Sequence, residues 1–505
     1  MGVYLNPGND KFYKAINSEI YVDKTELIQY TNRVFNTMQQ NVCVSRPRRF
    51  GKSMTANMLA AYYSRGCQSE KLFDGLKIKE DSSFSKYLNK YNVFFINMQE
   101  FLSRSKTVEK MVLRLNRILM RDLKQEYPDV DYFDEEDLAE SMQDVYQQTG
   151  CPFVIIIDEW DCIFREYKSD KEAQEQYLDF LRDFLKDKSY IHLAYMTGIL
   201  PIKKYGTQSA LTDFREFSML EPGFLAEYVG FTEKEVKDLC QTNHMDFAEA
   251  NKWYNGYRFN KIGHVYSPNS IIEAMINKKF SNYWTQTETY ESLKLYIDMD
   301  FGGLKTAIID MLGSQRCRID TGTFQNDMTS LQGKDDVLTL LVHLGYLAYD
   351  DDSKEVYIPN EEVRQEFVRA VKNGNRKELV KAVQLSDQLL DATLNLDTAT
   401  VSEILEEFLQ STTSPKFYNN EQALRSVVIM AYLSSVDHYM SFEEPASGKG
   451  YSDILFLPNV TSSKPALLIE LKWDKSAPGA ILQMKKKNYP QILEKFKYHG
   501  EVLLI

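Results

Sequence analysis

The stretch VCVSRPRRFGKS, residues 42–53, sets the reading of the whole chain. The run Asn41-Val42-Cys43-Val44-Ser45 predicts a short strand, Arg46–Phe50 a polar loop, and Gly51-Lys52-Ser53 the entry to a helix over MTANMLAAYYS. Strand, loop and helix N-terminus are the parts of a phosphate site. The first amides of a helix have no intrahelical partner and, with the helix dipole, face an anion. Lys52 can reach the β- and γ-phosphates of a nucleoside triphosphate, and the Ser53 hydroxyl can ligate Mg²⁺. The usual spacing is GxxxxGK[ST]; here Arg46 stands in the place of the first glycine. The expected nucleotide contacts are Arg46, Pro47, Arg48, Arg49, Phe50, Gly51, Lys52, Ser53 and Met54.

Gly-Lys-Ser also occurs in ordinary surface turns, and a second stretch decides between the readings. Phe153–Asp161, FVIIIDEWD, opens with apolar, mostly β-branched residues that predict a strand buried on both faces, as in a parallel sheet. It ends in two adjacent carboxylates. Asp158 is placed to complete a Mg²⁺ shell with Ser53, and Glu159 to orient or deprotonate an attacking water. Between these stretches, VFFIN (93–97) predicts a further strand. A strand inserted there, with a glutamate after the aspartate, is the layout of additional-strand P-loop ATPases. IHLAYMTGIL (191–200) predicts another strand, with Thr197 just past its end as a polar sensor of the γ-phosphate; His192 reads as a core histidine. Arg46, Arg48 and Arg49 can neutralise transition-state charge, in cis or across a subunit interface, or they can anchor the loop through salt bridges.

Composition sets the bounds. With 505 residues the chain can form two or three domains. Sixty basic against 72 acidic residues give a net charge of −12, so any nucleic-acid contact must be a local patch. The cysteines at 43, 67, 151, 162, 240 and 317 form no CxxC pair, which fits reduced thiols and a cytoplasmic location. No apolar run reaches the length of a membrane span.

Upstream of the loop, YVDKT (21–25) offers Asp23 or Thr25 as a helix cap and Tyr21, Lys24 or Thr25 as base or ribose contacts. The acidic run 129–140 reads as a solvated helix start, and Thr232 with Glu235 as a capping box. WYNGYRFN (253–260) is an aromatic turn in which Arg258 could serve as a sensor or latch. Residues 290–380 read as a small winged-helix-type lid or linking module, in which 337–367 run helix, strand, turn, strand, helix.

Near the C-terminus, Ser452-Asp453-Ile454-Leu455-Phe456 and ALLIELK (466–472) predict two hairpin strands that present Asp453, Glu470 and Lys472. Glu470 and Lys472 are two apart and share one face of a strand. Two carboxylates can hold Mg²⁺ or Mn²⁺ against a scissile phosphate while the lysine activates water or stabilises charge. This is the D…ExK pattern of PD-(D/E)xK nucleases. Lys485, Lys486, Lys487, Lys495 and Lys497 form either a basic patch for a DNA or RNA backbone or a solvated helix face.

YVDKT, RPRRFGKS and IIIDEWD together resemble the bacterial AAA-ATPase-like family, in which an arginine commonly replaces the first loop glycine. The resemblance runs from about Phe12 to the C-terminus. It implies a P-loop ATPase domain followed by a PD-(D/E)xK nuclease-like domain, and a Thr-Gly like Thr197-Gly198. Glu421 matches the family's helix-borne acid, and Gln483 and Tyr489 match polar positions on a later helix. Leu424-Arg425 departs from the family's Tyr-His, which separates nuclease fold from nuclease activity.

The expected architecture is α/β: a P-loop domain at 1–220 with a parallel sheet, a helical, winged-helix-like region at 221–375, and a nuclease-like domain at 376–505. The expected function is an ATP- and Mg²⁺-dependent ATPase, with homo-oligomers and no membrane partner, coupled to a metal-dependent nuclease. The alternative is a nucleotide-binding scaffold whose nuclease-like domain binds nucleic acid or protein without cleaving.

Overall fold

The computed structural model describes the chain except residues 1–2, 203–210, 260–261, 285–289, 300, 326–330, 373–376, 413–420, 444–445, 448–449, 459–463, 473–476 and 497. Its contacts define two compact units, Met1–Phe280 with Ile319–Lys354, and Ser281–Arg318 with Glu355–Ile505. The segment 221–375 is shared between them.

The first unit is built on strands β1 (Asn41–Ser45), β2 (Asn92–Asn97), β3 (Phe153–Asp158), β4 (Ile191–Gly198) and β5 (Arg215–Phe217). They lie in the order β2-β3-β4-β1-β5, and all four pairings are parallel. Every residue of β3 is buried, as its unbroken apolar run predicts. Each fully buried Val, Ile or Phe there contributes about 1.5–3 kcal/mol.

Strand order places the site. β4 lies between β1, which leads into the loop, and β3, which ends in the acids. The register sets Val44 beside Thr197 and Ser45 beside Gly198 on one flank, and Ile157 beside Met196 on the other. Three strand ends therefore meet at one edge, the edge where open parallel sheets hold ligands. Thr197 lies inside β4 rather than past it, because β4 continues to Gly198.

The chain's first residues cover the free edge of β2. Asn6 N donates to Val93 O (2.8 Å), Phe95 N to Tyr4 O (2.9 Å), and Val93 N to Asn6 Oδ1 (2.9 Å). Buried Asp122 accepts from Tyr4 N at 2.8 Å. These contacts satisfy backbone groups that would otherwise form an open edge.

Local signals hold in most places. Thr232 and Glu235 form both bonds of a capping box, and Asp137, inside the acidic run, caps helix Leu138–Thr149. Helix Leu27–Val34 differs: it has no side-chain cap. Asp23 Oδ1 instead accepts from Thr25 N and Thr25 Oγ1 (2.8 and 2.7 Å), a local turn that uses up both predicted caps.

In the second unit, strands Tyr439–Glu443, Ile454–Pro458, Ala466–Ile469 and Val502–Leu504 form a sheet in that order. The first two pairings are antiparallel and the last is parallel. The central hairpin sets Ile454 opposite Ile469. Helices Lys377–Leu394, Thr398–Thr412 and Glu421–Ala431 supply Leu389, Phe408 and Val427 to a core shared with Tyr432, Phe456, Leu467 and Ile469.

A Cβ on Gly198 would stand 2.6 Å from Trp160 Cδ1 and 2.9 Å from Asp161 Oδ1, both on buried side chains. Gly198→Ala is therefore expected to destabilise the first unit by about 1–3 kcal/mol, the usual range for overpacking. Gly8→Ala, in the same unit, whose Cβ meets only Asp10 Oδ2 at 3.9 Å, is the near-neutral control in the same urea titration. Equal midpoints for the two variants would mean that the tryptophan wall yields.

Candidate functional site

The loop after β1 closes on a buried lysine. Helix Lys52–Tyr63 begins directly after Gly51, whose φ of 92° favours glycine; Arg49 is also left-handed, at 61°. The Lys52 ammonium donates to Arg46 O (2.9 Å) and Pro47 O (2.8 Å). Burial holds it below the ordinary lysine range, while Glu159, Asp161 and Asp158 pull the other way. The amides of Lys52, Ser53 and Met54 open the helix without intrahelical acceptors. A buried ammonium beside a ring of helix-start amides fits a polyphosphate. Ser53, exposed at the helix start, and Asp158 at the end of β3 fit its Mg²⁺.

The acids are fixed by their neighbours. Thr197 Oγ1 donates to Asp158 Oδ1, and Asn97 Nδ2 lies 3.5 Å from Asp158 Oδ2. Glu159 is left-handed (φ 57°) and bound by Arg165 Nη2. Burial raises the Glu159 carboxyl, against the pull of Arg165 and Lys52. Arg165 also lies 3.2 Å from Asp161 Oδ2, which accepts Ile199 N (3.0 Å) and Leu200 N (2.8 Å). Asp161 thus ties the acidic turn to the end of β4.

The three loop arginines separate. Arg46 is fully buried, and its Nη1 donates to Ser45 O, Phe217 O and Ser218 O, each at 2.9 Å. Its guanidinium lies 5.4 Å from the centre of the Phe259 ring, and burial pulls its pKa down to about 10. Its Nε and Nη2 have no hydrogen-bond partner among the described residues. Arg46 therefore anchors the loop to the end of β5 through carbonyls, not salt bridges. Arg48 and Arg49 are exposed, and Arg49 Nη1 reaches Asn269 Oδ1 at 3.3 Å.

Phe50 and Met54 line a small apolar pocket beside Gly51, together with Tyr21, Lys24, Met58 and Phe231. Lys24 Nζ is tethered to Glu235 (2.6 Å) and Glu227 O (2.6 Å). His192 packs between Phe35 and Tyr146, and burial lowers its pKa, as suits a core histidine. Tyr257 of the aromatic turn stacks edge-on to Phe50 (5.4 Å) and donates to Gly345 O, while Arg258 is exposed, 4.0 Å from Asp350.

The second unit gathers its own cluster. Asp453 precedes one hairpin strand and Glu470 follows the other. Glu470 Oε1 accepts from Lys472 Nζ (2.5 Å) and from Gln483 Nε2, which also donates to Tyr489 Oη at 3.0 Å. Burial raises the Glu470 carboxyl; Lys472 and Lys487 lower it. Glu470 Oε2 is buried with no hydrogen-bond partner among the described residues, the kind of orphaned oxygen a divalent cation would satisfy. Asp453 Oδ2 accepts Leu471 N (2.6 Å), and Asp453 Oδ1 pairs with Arg425 (3.1 Å). The side chains of Glu421 and Lys495, and the whole of Lys497, lie outside the described residues. Lys485 and Lys486 are exposed.

Sequence reasoning missed Arg165, Asn97 and the role of Asp161. Arg165 lies one helical turn beyond Asp161, and Asn97 ends the strand whose register meets Asp158; both spacings carried the signal.

Residues 8–207 match the family described as a predicted AAA-ATPase and carry an ATPase-like P-loop domain. A relative from Azotobacter chroococcum mcd 1, described as an uncharacterized protein in the vnfD 5′ region, is 23% identical over 518 residues, covering 95% of this chain and 91% of its own. Among solved structures, the Walker-type ATPase paby2304 of Pyrococcus abyssi covers 68% of this chain and 94% of its own, at 13% identity and a TM-score of 0.35. The ORC2 protein of Aeropyrum pernix covers 70% and 96%, at 10% identity and a TM-score of 0.30. Among the described residues, no helix is long and apolar enough to cross a membrane.

Arg46→Gly restores the usual loop motif, yet it is expected to cost about 3 kcal/mol, because charge-assisted hydrogen bonds and a filled volume are lost together. Thermal unfolding of the first unit, read beside titration with a fluorescent ATP analogue, checks this. Unchanged stability with intact nucleotide binding would show that the anchor is dispensable.

Proposed function

We propose that the chain is an ATP-dependent hydrolase whose P-loop unit is coupled to a metal-dependent nuclease acting on DNA or RNA. The observation that carries the first half is the buried Lys52 ammonium, held under the loop by two carbonyls and flanked by Asp158, Glu159 and Asp161. Lys52 and the helix-start amides bind the β- and γ-phosphates. Glu159 receives the proton of the attacking water, and Thr197 holds Asp158 in position. Ser53 and Asp158 would hold Mg²⁺, which would supply charge neutralisation at the phosphates. Arg48 or Arg49, both exposed, suits a charge-neutralising role in a homo-oligomer. The apolar pocket of Phe50, Met54 and Tyr21 suits a nucleobase.

The second half rests on Asp453, Glu470, Lys472 and Gln483 converging around one orphaned carboxylate oxygen. Asp453 and Glu470 would hold Mg²⁺ or Mn²⁺, Lys472 would activate water or stabilise charge, and Gln483 orients Glu470. Glu421 would contribute from its helix, and the lysines at 485–487 would meet the nucleic-acid backbone. This reading places the nuclease-like domain at 376–505, after an ATPase domain at 1–220 and a winged-helix-like lid or linker at 221–375. A cytoplasmic, bacterial setting suits it. One observation favours the scaffold alternative, in which nucleic acid or protein is bound but not cut: Asp453 is already paired with Arg425.

Nicking of supercoiled plasmid and of single-stranded DNA, with Mg²⁺ or Mn²⁺ and with or without ATP, tests the proposal. Lys472→Ala is expected to abolish cleavage. Lys52→Ala is expected to lower ATP hydrolysis at least about 100-fold, and Glu159→Gln to bind ATP without turnover. Binding of ATP with no cleavage under any metal selects the scaffold.

A pH profile tests Glu159 separately. The group must be ionised to accept a proton, and Arg165 favours its ionised form. Removing that cation in Arg165→Gln raises the carboxyl further, so the acid limb of kcat is expected to move to higher pH. An unmoved limb would exclude Glu159 as the titrating base.

A further inference from the structure

In the C-terminal cluster, four carboxylate oxygens face a crowd of donors. Glu470 Oε1 is taken by Lys472 and Gln483, Asp453 Oδ2 by Leu471 N, and Asp453 Oδ1 by Arg425. Only Glu470 Oε2 is left, buried and without a hydrogen-bond partner among the described residues. A divalent cation that took this oxygen would need a second carboxylate oxygen nearby, and the charge of Asp453 is felt at Glu470. The oxygen of Asp453 that could serve is the one on which Arg425 sits at 3.1 Å. Both partners of that pair are mostly buried, with side-chain exposures of 15% and 14%, so solvent screens it weakly.

We infer that Arg425 is a built-in competitor of the metal: its guanidinium holds Asp453 in place of a divalent cation, and metal enters this site by displacing it. Arg425 comes from helix Glu421–Ala431, while Asp453 precedes the hairpin strand, so the competitor and the ligand sit on different elements. A guanidinium offers donors but no ligand atom, and it stays charged at every physiological pH. Its positive charge on that oxygen opposes a second cation there, and the guanidinium does not lose this charge by deprotonation. Metal affinity is set low at rest, and a phosphodiester, which pairs with a guanidinium in the same forked geometry as a carboxylate, is the chemical class that can draw Arg425 away. The same linkage runs both ways: metal on Asp453 frees Arg425 for a phosphate. This inference rests on the metal-site reading of Asp453 and Glu470 proposed above.

The test is Mn²⁺ binding to the full-length protein without nucleotide, measured by isothermal titration and by electron paramagnetic resonance of free Mn²⁺. The variants are Arg425→Gln, Arg425→Lys, and Arg425→Gln combined with Glu470→Gln, with near-UV circular dichroism as the fold control. Arg425→Gln is expected to bind Mn²⁺ about tenfold more tightly than the wild type, the factor that one partly buried ion pair commands. Arg425→Lys, which keeps the charge, is expected to stay near the wild type, and the double variant to lose the gain. A purely structural ion pair would give the opposite pattern: Arg425→Gln less stable, with unchanged or weaker Mn²⁺ binding, and that result overturns the inference alone. If neither the wild type nor well-folded Arg425→Gln binds Mn²⁺, the metal-site reading falls together with it.

Discussion

The burial of the Lys52 ammonium is the constraint on which the N-terminal site depends. Taking an ammonium out of water costs several kcal/mol after relaxation, and two carbonyl acceptors repay only part of that. The field of Glu159, Asp161 and Asp158 offsets a further part, yet burial still holds the lysine below its ordinary range. Those acids reach Lys52 only because β4 lies between β1 and β3 and all three strands end at one edge. Sheet order, loop conformation and acid placement are thus one requirement seen from three sides. The second buried cation, Arg46, is turned the other way, onto the carbonyls that follow β5. It holds the loop while Lys52 faces the site. A glycine in its place would leave the Phe217 and Ser218 carbonyls without that donor.

Much of this was legible in the sequence, and the reason is periodicity. A short apolar run rich in β-branched residues, such as FVIIID, favours a strand covered on both faces, and adjacent acids that follow it fall at the sheet edge. The ALLI part of ALLIELK was legible as a strand for the same reason, but that strand ends at Ile469, so Glu470 and Lys472 lie beyond it and meet through their side chains rather than through a shared strand face. What failed to show was chemistry set by tertiary neighbours. Asp23 and Thr25 spell a helix cap, yet they bond to each other, because a two-residue turn is closer than the helix. Tyr4-Leu5-Asn6 has no strand pattern, and its pairing along β2 is fixed by Asp122 on a distant helix. Arg425 read as a departure from a pattern; its partner, Asp453, could be identified only in three dimensions.

The two clusters make opposite electrostatic demands. The loop presents a buried cation and open amides, and it is completed by an anion. The hairpin presents a buried carboxylate oxygen that is orphaned among the described residues, the charge a cation would complement. Their polar surroundings follow from this. Asp158 is held by neutral donors, Thr197 and Asn97, which orient a carboxylate without cancelling its charge. Asp453 and Glu470 are held by Arg425 and Lys472, which cancel theirs.

Under the proposed function, that contrast would decide how two metal-dependent sites share one metal pool. Metal for the loop would arrive already bound to ATP, so its occupancy would follow nucleotide concentration. Metal for the hairpin would come as the free ion and would have to outcompete a guanidinium held at fixed distance, whose effective concentration is that of an intramolecular partner. ATP added at limiting metal would then fill the first site and starve the second, whereas free metal in excess would supply both. A chain built this way would keep its hairpin site silent until nucleic acid engages Arg425, with no need for contact between the two sites, because the difference lies in what already occupies each carboxylate.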